Sequence, residues 1–131
     1  MRKTLFLFTV FHMKILIVDD SESIRERLDL MVRRTEENAV VIQARNVYEG
    51  IEKALEFKPD ITILDIKMPG GSGIDVLREL KNRGLETVVI MLTNYPYPQY
   101  REKCMKEGAD YFFDKSTEFE LVIEVMKEVM L

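Results

Sequence analysis

Five short apolar runs, at residues 15–18, 40–42, 61–64, 88–92 and 111–113, alternate along the chain with longer stretches of helical period. That alternation is the pattern of βαβ units on a parallel sheet. Most of the runs are apolar without interruption, so helices must cover both faces of the sheet they form. The stretches between them supply those helices. Ile24, Leu28, Met31 and Val32 share one stripe at i, i+4, i+7 and i+8, and Val47, Ile51, Ala54 and Leu55 repeat the spacing. Ser21 or Ser23 can cap the first helix, Pro59 follows the second, and Gly84 and Gly108 stand where the third and fourth should end. The last segment, residues 119–131, carries apolar residues at 121, 122, 125, 126 and 129, a stripe suited to packing on a sheet. The expected architecture is an α/β, doubly wound, five-stranded parallel sheet.

The 131 residues suffice for one domain and a single core. With 19 Lys+Arg against 23 Asp+Glu the formal net charge is −4. The chain therefore lacks the basic excess that phosphate backbones reward, and direct nucleic-acid binding is not expected. Cys104, without a second cysteine, forms no intramolecular disulfide or Cys-x-x-Cys metal site and reads as a small helical side chain in a reducing cytoplasm. Residues 1–12 begin with two basic residues and an apolar run, like a short signal peptide. The run is far below the roughly 20 residues that span a bilayer, and no small-x-small cleavage site follows. A complete strand starts at Met13, so residues 1–12 are taken as an appendage, from start-site assignment or as an added strand or docking arm, and residues 13–131 as the domain. With no Pro/Ser/Gly-rich linker or low-complexity tract in the sequence, a connection to an output domain is not expected.

In an open parallel sheet, ligands bind beyond the carboxyl ends of the strands, where the strand order reverses. The first run ends in Asp19 and Asp20, the third in Asp65, the fourth in Thr93, and the fifth leads to Lys115. Taken singly, each has an ordinary role as helix cap, turn former or solvated lysine. Together they put three carboxylates, a hydroxyl and an ammonium on one edge. Carboxylates so close raise one another's pKa unless a cation compensates, and a small all-oxygen donor set favours Mg²⁺. The loop after Asp65, residues 66–73, is rich in glycine, which permits close backbone approach, and its carbonyls can add a metal ligand. An ionised Asp65 can then act as a nucleophile toward a phosphoryl group, with Mg²⁺ and Lys115 neutralising the phosphoryl oxygens.

The segments Ile15-Leu-Ile-Val-Asp-Asp-Ser21, Leu64-Asp-Ile-Lys-Met-Pro-Gly-Gly-Ser-Gly73, Met91-Leu-Thr93 and Gly108-Ala-Asp-Tyr-Phe-Phe-Asp-Lys115 resemble the receiver domain of two-component response regulators. The resemblance covers residues 13–131 and implies the flavodoxin-like strand order 2-1-3-4-5, an order tied to a chemotaxis receiver as a general example. It implies Asp65 as phosphoacceptor, served by a histidine kinase or phosphotransfer protein. Asp20 and Asp65 would ligate Mg²⁺ directly, Asp19 through water, and Lys67 by its backbone carbonyl. Thr93 would be the switch hydroxyl, Lys115 the partner of the phosphoryl group, and Phe112 the aromatic switch residue. Phosphorylation would draw Thr93 inward and let Phe112 follow. The implied protein is cytoplasmic, signals through a downstream protein contact rather than membrane or DNA, and is a monomer or a phosphorylation-dependent homodimer.

Four departures bear on these expectations. Ser116 stands where the family usually has a proline after a cis bond, so either a costly non-proline cis bond is kept or the loop takes another path. Asn94 replaces the usual small residue after Thr93 and is expected to change water access or phosphoryl lifetime. Phe112 lacks a hydroxyl, so its inward and outward positions should differ by packing alone. Tyr95, Tyr97 and Tyr100, interleaved with two prolines, either stiffen a partly buried loop or present an aromatic partner surface. Three alternatives carry less support. An aspartyl phosphatase commonly needs a second acid where Lys67 stands, and a flavin protein needs a phosphate loop where the acid pair stands. A constitutive interaction module would not need the complete set of phosphorylation residues.

Overall fold

The computed structural model describes residues 12–130, and the appendage expected at residues 1–12 lies, except for His12, outside them. Five strands form one parallel sheet: β1 (Lys14–Val18), β2 (Val40–Ala44), β3 (Ile61–Leu64), β6 (Val88–Thr93) and β7 (Tyr111–Asp114). Their order across the sheet is β2-β1-β3-β6-β7. Counting these five alone, this is the expected 2-1-3-4-5, with all neighbours parallel. The order reverses between β1 and β3, and Val18 registers with Leu64, which registers with Met91. The carboxyl ends of the three central strands therefore reach one level.

The helices are α1 (Glu22–Thr35), α2 (Val47–Phe57), α3 (Gly73–Asn82), α4 (Pro98–Lys106) and α5 (Leu121–Met130). Alternate residues of the central strands point to opposite faces and split the core in two. Leu28 and Val32 of α1 and Val122, Val125 and Met126 of α5 join Ile15, Ile17, Ile63, Ile90 and Leu92 on one face. Ala54 of α2, Val76, Leu77 and Leu80 of α3 and Cys104 of α4 join Leu16, Val18, Leu64 and Met91 on the other. Each fully buried aliphatic side chain stabilises the fold by about 1.5–3 kcal/mol relative to exposure, so these two layers supply the main driving force. Gly50 brings α2 close to the sheet, since a Cβ there would stand 2.9 Å from Val18 Cγ1.

The expected caps are largely present. Ser21, rather than Ser23, accepts from the Ile24 amide and caps α1. Gly84 and Gly108 follow α3 and α4 with positive φ angles of 71° and 102°. Two expectations change. Leu121 is 39% exposed, because α5 rolls Val122, Val125 and Met126 inward and leaves Leu121 on the rim, while Phe119 just before the helix is buried instead. Leu55 is absent from the apolar cluster that holds Ala54, and Phe57 packs there in its place.

The glycine-rich loop after β3 contains a hairpin that the apolar pattern does not reveal, with β4 (Lys67–Met68) antiparallel to β5 (Gly71–Ser72). Pro69 and Gly70 form its turn, and Gly70 has φ +84°, a value glycine adopts without strain. Ser72 then caps α3 in a reciprocal capping box with Asp75. Gly73, the first residue of α3, lies against the chain leaving β3. Its amide donates to the Ile66 carbonyl at 2.7 Å, and a Cβ on it would fall 1.8 Å from the Asp65 carbonyl oxygen.

Gly73→Ala must push α3 away from the Asp65 backbone and is expected to cost about 2–3 kcal/mol. Gly70→Ala meets open space but a strained φ, and should cost about 1 kcal/mol. Urea unfolding midpoints of the two variants check this order, and equal midpoints would contradict it.

Candidate functional site

The sheet's own hydrogen-bond ladder places the candidate residues, running one residue past each strand. The Asp19 amide donates to the Ala44 carbonyl at 3.0 Å, the Asp65 amide to Val18 at 3.0 Å, and the Lys115 amide to Thr93 at 2.9 Å. Asp19 is fixed further by the Ser21 amide, which donates to its Oδ1 at 2.9 Å. A guanidinium nitrogen of Arg25 donates to the Asp19 carbonyl at 2.7 Å, while Nε of the same side chain reaches Gln43. Arg25 was not marked by the sequence pattern. Its position one turn into α1, facing the end of β1, is the only signal it carries.

The acids converge. One carboxylate oxygen from each of Asp19, Asp20 and Asp65 lies within 4.8 Å of the others, with Asp19 and Asp65 buried and Asp20 exposed. Lys115 is buried between two of them, its Nζ 2.6 Å from Asp19 Oδ2 and 3.0 Å from Asp65 Oδ2. The other oxygen of Asp65 accepts the Ile66 amide at 2.7 Å. Among the described residues, no buried side-chain nitrogen or oxygen lacks a hydrogen-bond partner. Three carboxylates against one ammonium leave an excess of two negative charges at the mouth. An all-oxygen, doubly negative cluster of this kind fits a hard divalent cation such as Mg²⁺.

Burial is the main reason the Asp65 carboxyl titrates above the ordinary carboxylate range; the Asp19 charge adds to the shift, and Lys115 with the Ile66 amide opposes it. For Lys115 burial alone would lower the pKa, but its bonds and attraction to Asp19 and Asp65 outweigh that and hold it above the usual lysine value.

Thr93, fully buried at the end of β6, accepts the Tyr95 amide on Oγ1 at 3.0 Å. Phe112 is buried in the apolar cluster shared with Cys104 and Ala109. Beside this packing, Arg101 of α4 donates to the Phe112 carbonyl at 3.1 Å and stands 4.9 Å from the ring centroid. The Lys67 side chain lies over the Tyr95 ring, its Nζ 4.1 Å from the ring centroid. The three tyrosines form a chain of tilted rings, with Tyr97 half exposed and Tyr95 and Tyr100 partly buried. No cis peptide bond occurs among the described residues, so the chain after Lys115 takes the second of the two expected routes. Asp114 accepts both the amide and the hydroxyl of Ser116 there, which holds its carboxyl below the usual range. Asn94 is exposed beside Thr93. Cys104 is buried in α4, and burial pushes its thiol pKa up to about 11, so it is inert at neutral pH.

A family model, the response regulator receiver domain, matches residues 15–127. The chain belongs to the response regulator receiver family. This receiver is 31% identical over 117 residues to the chemotaxis protein CheY of Halobacterium salinarum, covering 89% of this chain and 96% of that one. It is 31% identical over 116 residues to the transcriptional regulatory protein LnrK of Bacillus subtilis, covering 88% of this chain and 53% of the relative. The receiver thus spans about half the length of several curated relatives it matches, as also for YvfU of Bacillus subtilis at 58%. Among solved structures it is similar to the response regulator TrrA of Thermotoga maritima in complex with Mg²⁺-BeF, with a TM-score of 0.76, 34% identity, and coverage of 89% of this chain and 98% of that one. A CheY-like receiver of Methanospirillum hungatei gives 0.81, 26%, 92% and 94% in the same terms. The chain thus carries the receiver domain of two-component response regulators, a signal-transduction family. No helix among the described residues is long and apolar enough to cross a membrane.

Both pKa values are raised on folding, so both contributions to stability are lost as pH rises, but in different pH windows. Asp65, raised on folding, favours the fold when protonated and loses that contribution as pH rises through its folded value. Lys115, also raised, keeps its contribution throughout the neutral range and loses it only at strongly alkaline pH. At pH 7 Asp65→Asn should therefore melt above the unsubstituted receiver in metal-free buffer, with the gap closing as pH falls; thermal melts across the acidic range check this. Lys115→Met leaves two buried carboxylates without their cation and should lose about 3 kcal/mol in the same buffer.

Proposed function

We propose that Asp65 accepts a phosphoryl group from a histidine kinase or phosphotransfer protein and that the receiver signals by a phosphorylation-dependent protein contact. The observation that carries this reading is the convergence of Asp19, Asp20 and Asp65 at the carboxyl end of the sheet, with the Lys115 ammonium held between Asp19 and Asp65. An Asp65 carboxylate oxygen attacks the phosphorus of the donor. The bond from phosphorus to the donor's imidazole nitrogen breaks, and that nitrogen keeps the electron pair. Lys115, already at hydrogen-bond distance from Asp65, shifts its attraction toward the incoming phosphoryl oxygens and offsets their charge as it develops.

In this reading Asp19, Asp20, Asp65 and the Lys67 carbonyl hold Mg²⁺, with Asp20 and Asp65 direct and Asp19 through water. Bound there, Mg²⁺ supplies charge neutralisation on the phosphoryl oxygens. Thr93 exchanges its acceptor role toward Tyr95 for donation to the phosphoryl group, and Phe112 is the aromatic residue whose position reports the change. The shift is between existing states, driven by contacts that only the phosphorylated form makes. Residues 13–131 act as the receiver unit, in the cytoplasm and without direct nucleic-acid contact, as a monomer or as a homodimer formed on phosphorylation.

Incubation with acetyl phosphate should add one phosphoryl group by intact-mass measurement, only when Mg²⁺ is present and not in Asp65→Asn. The adduct should be released by hydroxylamine, as an acyl phosphate is. An Mg²⁺-independent adduct, or one retained in Asp65→Asn, would overturn the assignment.

A further inference from the structure

We propose that Arg101 is a positioning residue for the switch, latching the Phe112 ring in its buried place and tying α4 to β7. The inference rests on the phosphoacceptor reading for the meaning of the ring's position, and on independent contacts for the latch itself.

Helix α4 is weakly held. Cys104 is its one buried residue, whereas α3 buries Gly73, Ile74, Val76, Leu77 and Leu80. Its N-cap, Tyr97, makes no side-chain cap bond. A helix with so small a buried face opens or shifts at low cost, and individual contacts then decide where it sits. Arg101 supplies two contacts at once. One guanidinium nitrogen donates to the Phe112 carbonyl at 3.1 Å, and the guanidinium carbon stands 4.9 Å from the centroid of the same ring. A planar guanidinium can face a ring and direct an edge N–H to a neighbouring oxygen, which a lysine ammonium does less well. Phe112 has no hydroxyl to anchor it, so this is the polar tie available to its backbone and ring together. Burial of the ring and docking of α4 become one event.

The consequence is a bias. In the phosphoacceptor reading Phe112 is buried in the phosphorylated form, and the ring is 3% exposed in this structure. Arg101 thus favours that buried position of the aromatic half of the switch. When only a fraction of molecules is competent, apparent affinity falls by that fraction, so losing the latch weakens any ligand that needs the buried ring. From the usual strength of a partly exposed cation–π contact plus one hydrogen bond, the loss is about three- to tenfold.

The test uses the full chain carrying 4-fluorophenylalanine, with the Phe112 resonance assigned through Phe112→Leu, and Mg²⁺ with trifluoroberyllate as the phosphoryl mimic. The unsubstituted receiver should show one Phe112 resonance. Arg101→Gln should show a second, exposed environment and bind trifluoroberyllate about three- to tenfold more weakly. In a Phe112→Leu background, which keeps an apolar side chain but removes the π face, Arg101→Gln should retain only the share of that loss due to the bond to the residue 112 carbonyl. A merely structural arginine would lower melting temperature without this dependence on Phe112. An unchanged Phe112 resonance in Arg101→Gln, or an affinity loss that persists in full in the Phe112→Leu background, overturns the proposal. If the unsubstituted receiver fails to bind trifluoroberyllate, the phosphoacceptor reading falls, and the Phe112 resonance decides the latch by itself.

Discussion

The Lys115 ammonium buried between Asp19 and Asp65 is the interaction on which the rest of the site depends. It joins groups from β1, β3 and the chain leaving β7, and so spans the carboxyl edge of the sheet across β6. Two carboxylates and an ammonium withdrawn from water cost the fold more than an apolar filling of the same volume would, and the triad holds only because each member has partners. Asp20 then tips the cluster negative. The result is a place where the fold carries electrostatic tension that a divalent cation or a phosphoryl group with its cation can relieve, as functional sites commonly do.

The backbone places these groups and the side chains react to one another. Asp19, Asp65 and Lys115 each extend the parallel ladder by one amide bond, so their Cα positions follow from the sheet rather than from loop flexibility. The turn after β3 is fixed as firmly by the close approach of Gly73 to the Asp65 carbonyl. By contrast, Thr93, Tyr95, Lys67, Arg101 and Phe112 are linked by single hydrogen bonds and ring contacts. Such links can exchange partners without disturbing the sheet, which divides the site into a rigid acid and lysine centre and an adjustable rim.

The difference between these two classes also explains what sequence reading could reach. The five strands and the residues at their ends were legible because apolar runs and strand-to-loop transitions are local patterns, and the parallel architecture converts them into one edge. The β4–β5 hairpin was not, because strands of two residues have no period, although Pro69-Gly70 carried the turn signal. Leu121 was misplaced because a stripe on a helix fixes the buried face only to within a neighbouring position. The contacts of Arg25 with Asp19 and of Arg101 with Phe112 join different elements through side chains whose residue types are common on any solvated helix, and no local pattern encodes them. Arg101 therefore enters beside the packing of Phe112 as a contact that sequence reading did not reach.

Lys67 draws the backbone and side-chain roles apart within one residue. Its main chain is pinned by pairing with Ser72 across the hairpin, while its side chain leaves in another direction to lie over Tyr95. The direction of its carbonyl is thus set by residues other than its own side chain. The position can exchange lysine for another residue with little disturbance to that oxygen, so the course of the main chain and the contact with the β6–α4 loop can diverge separately in descendants of this chain.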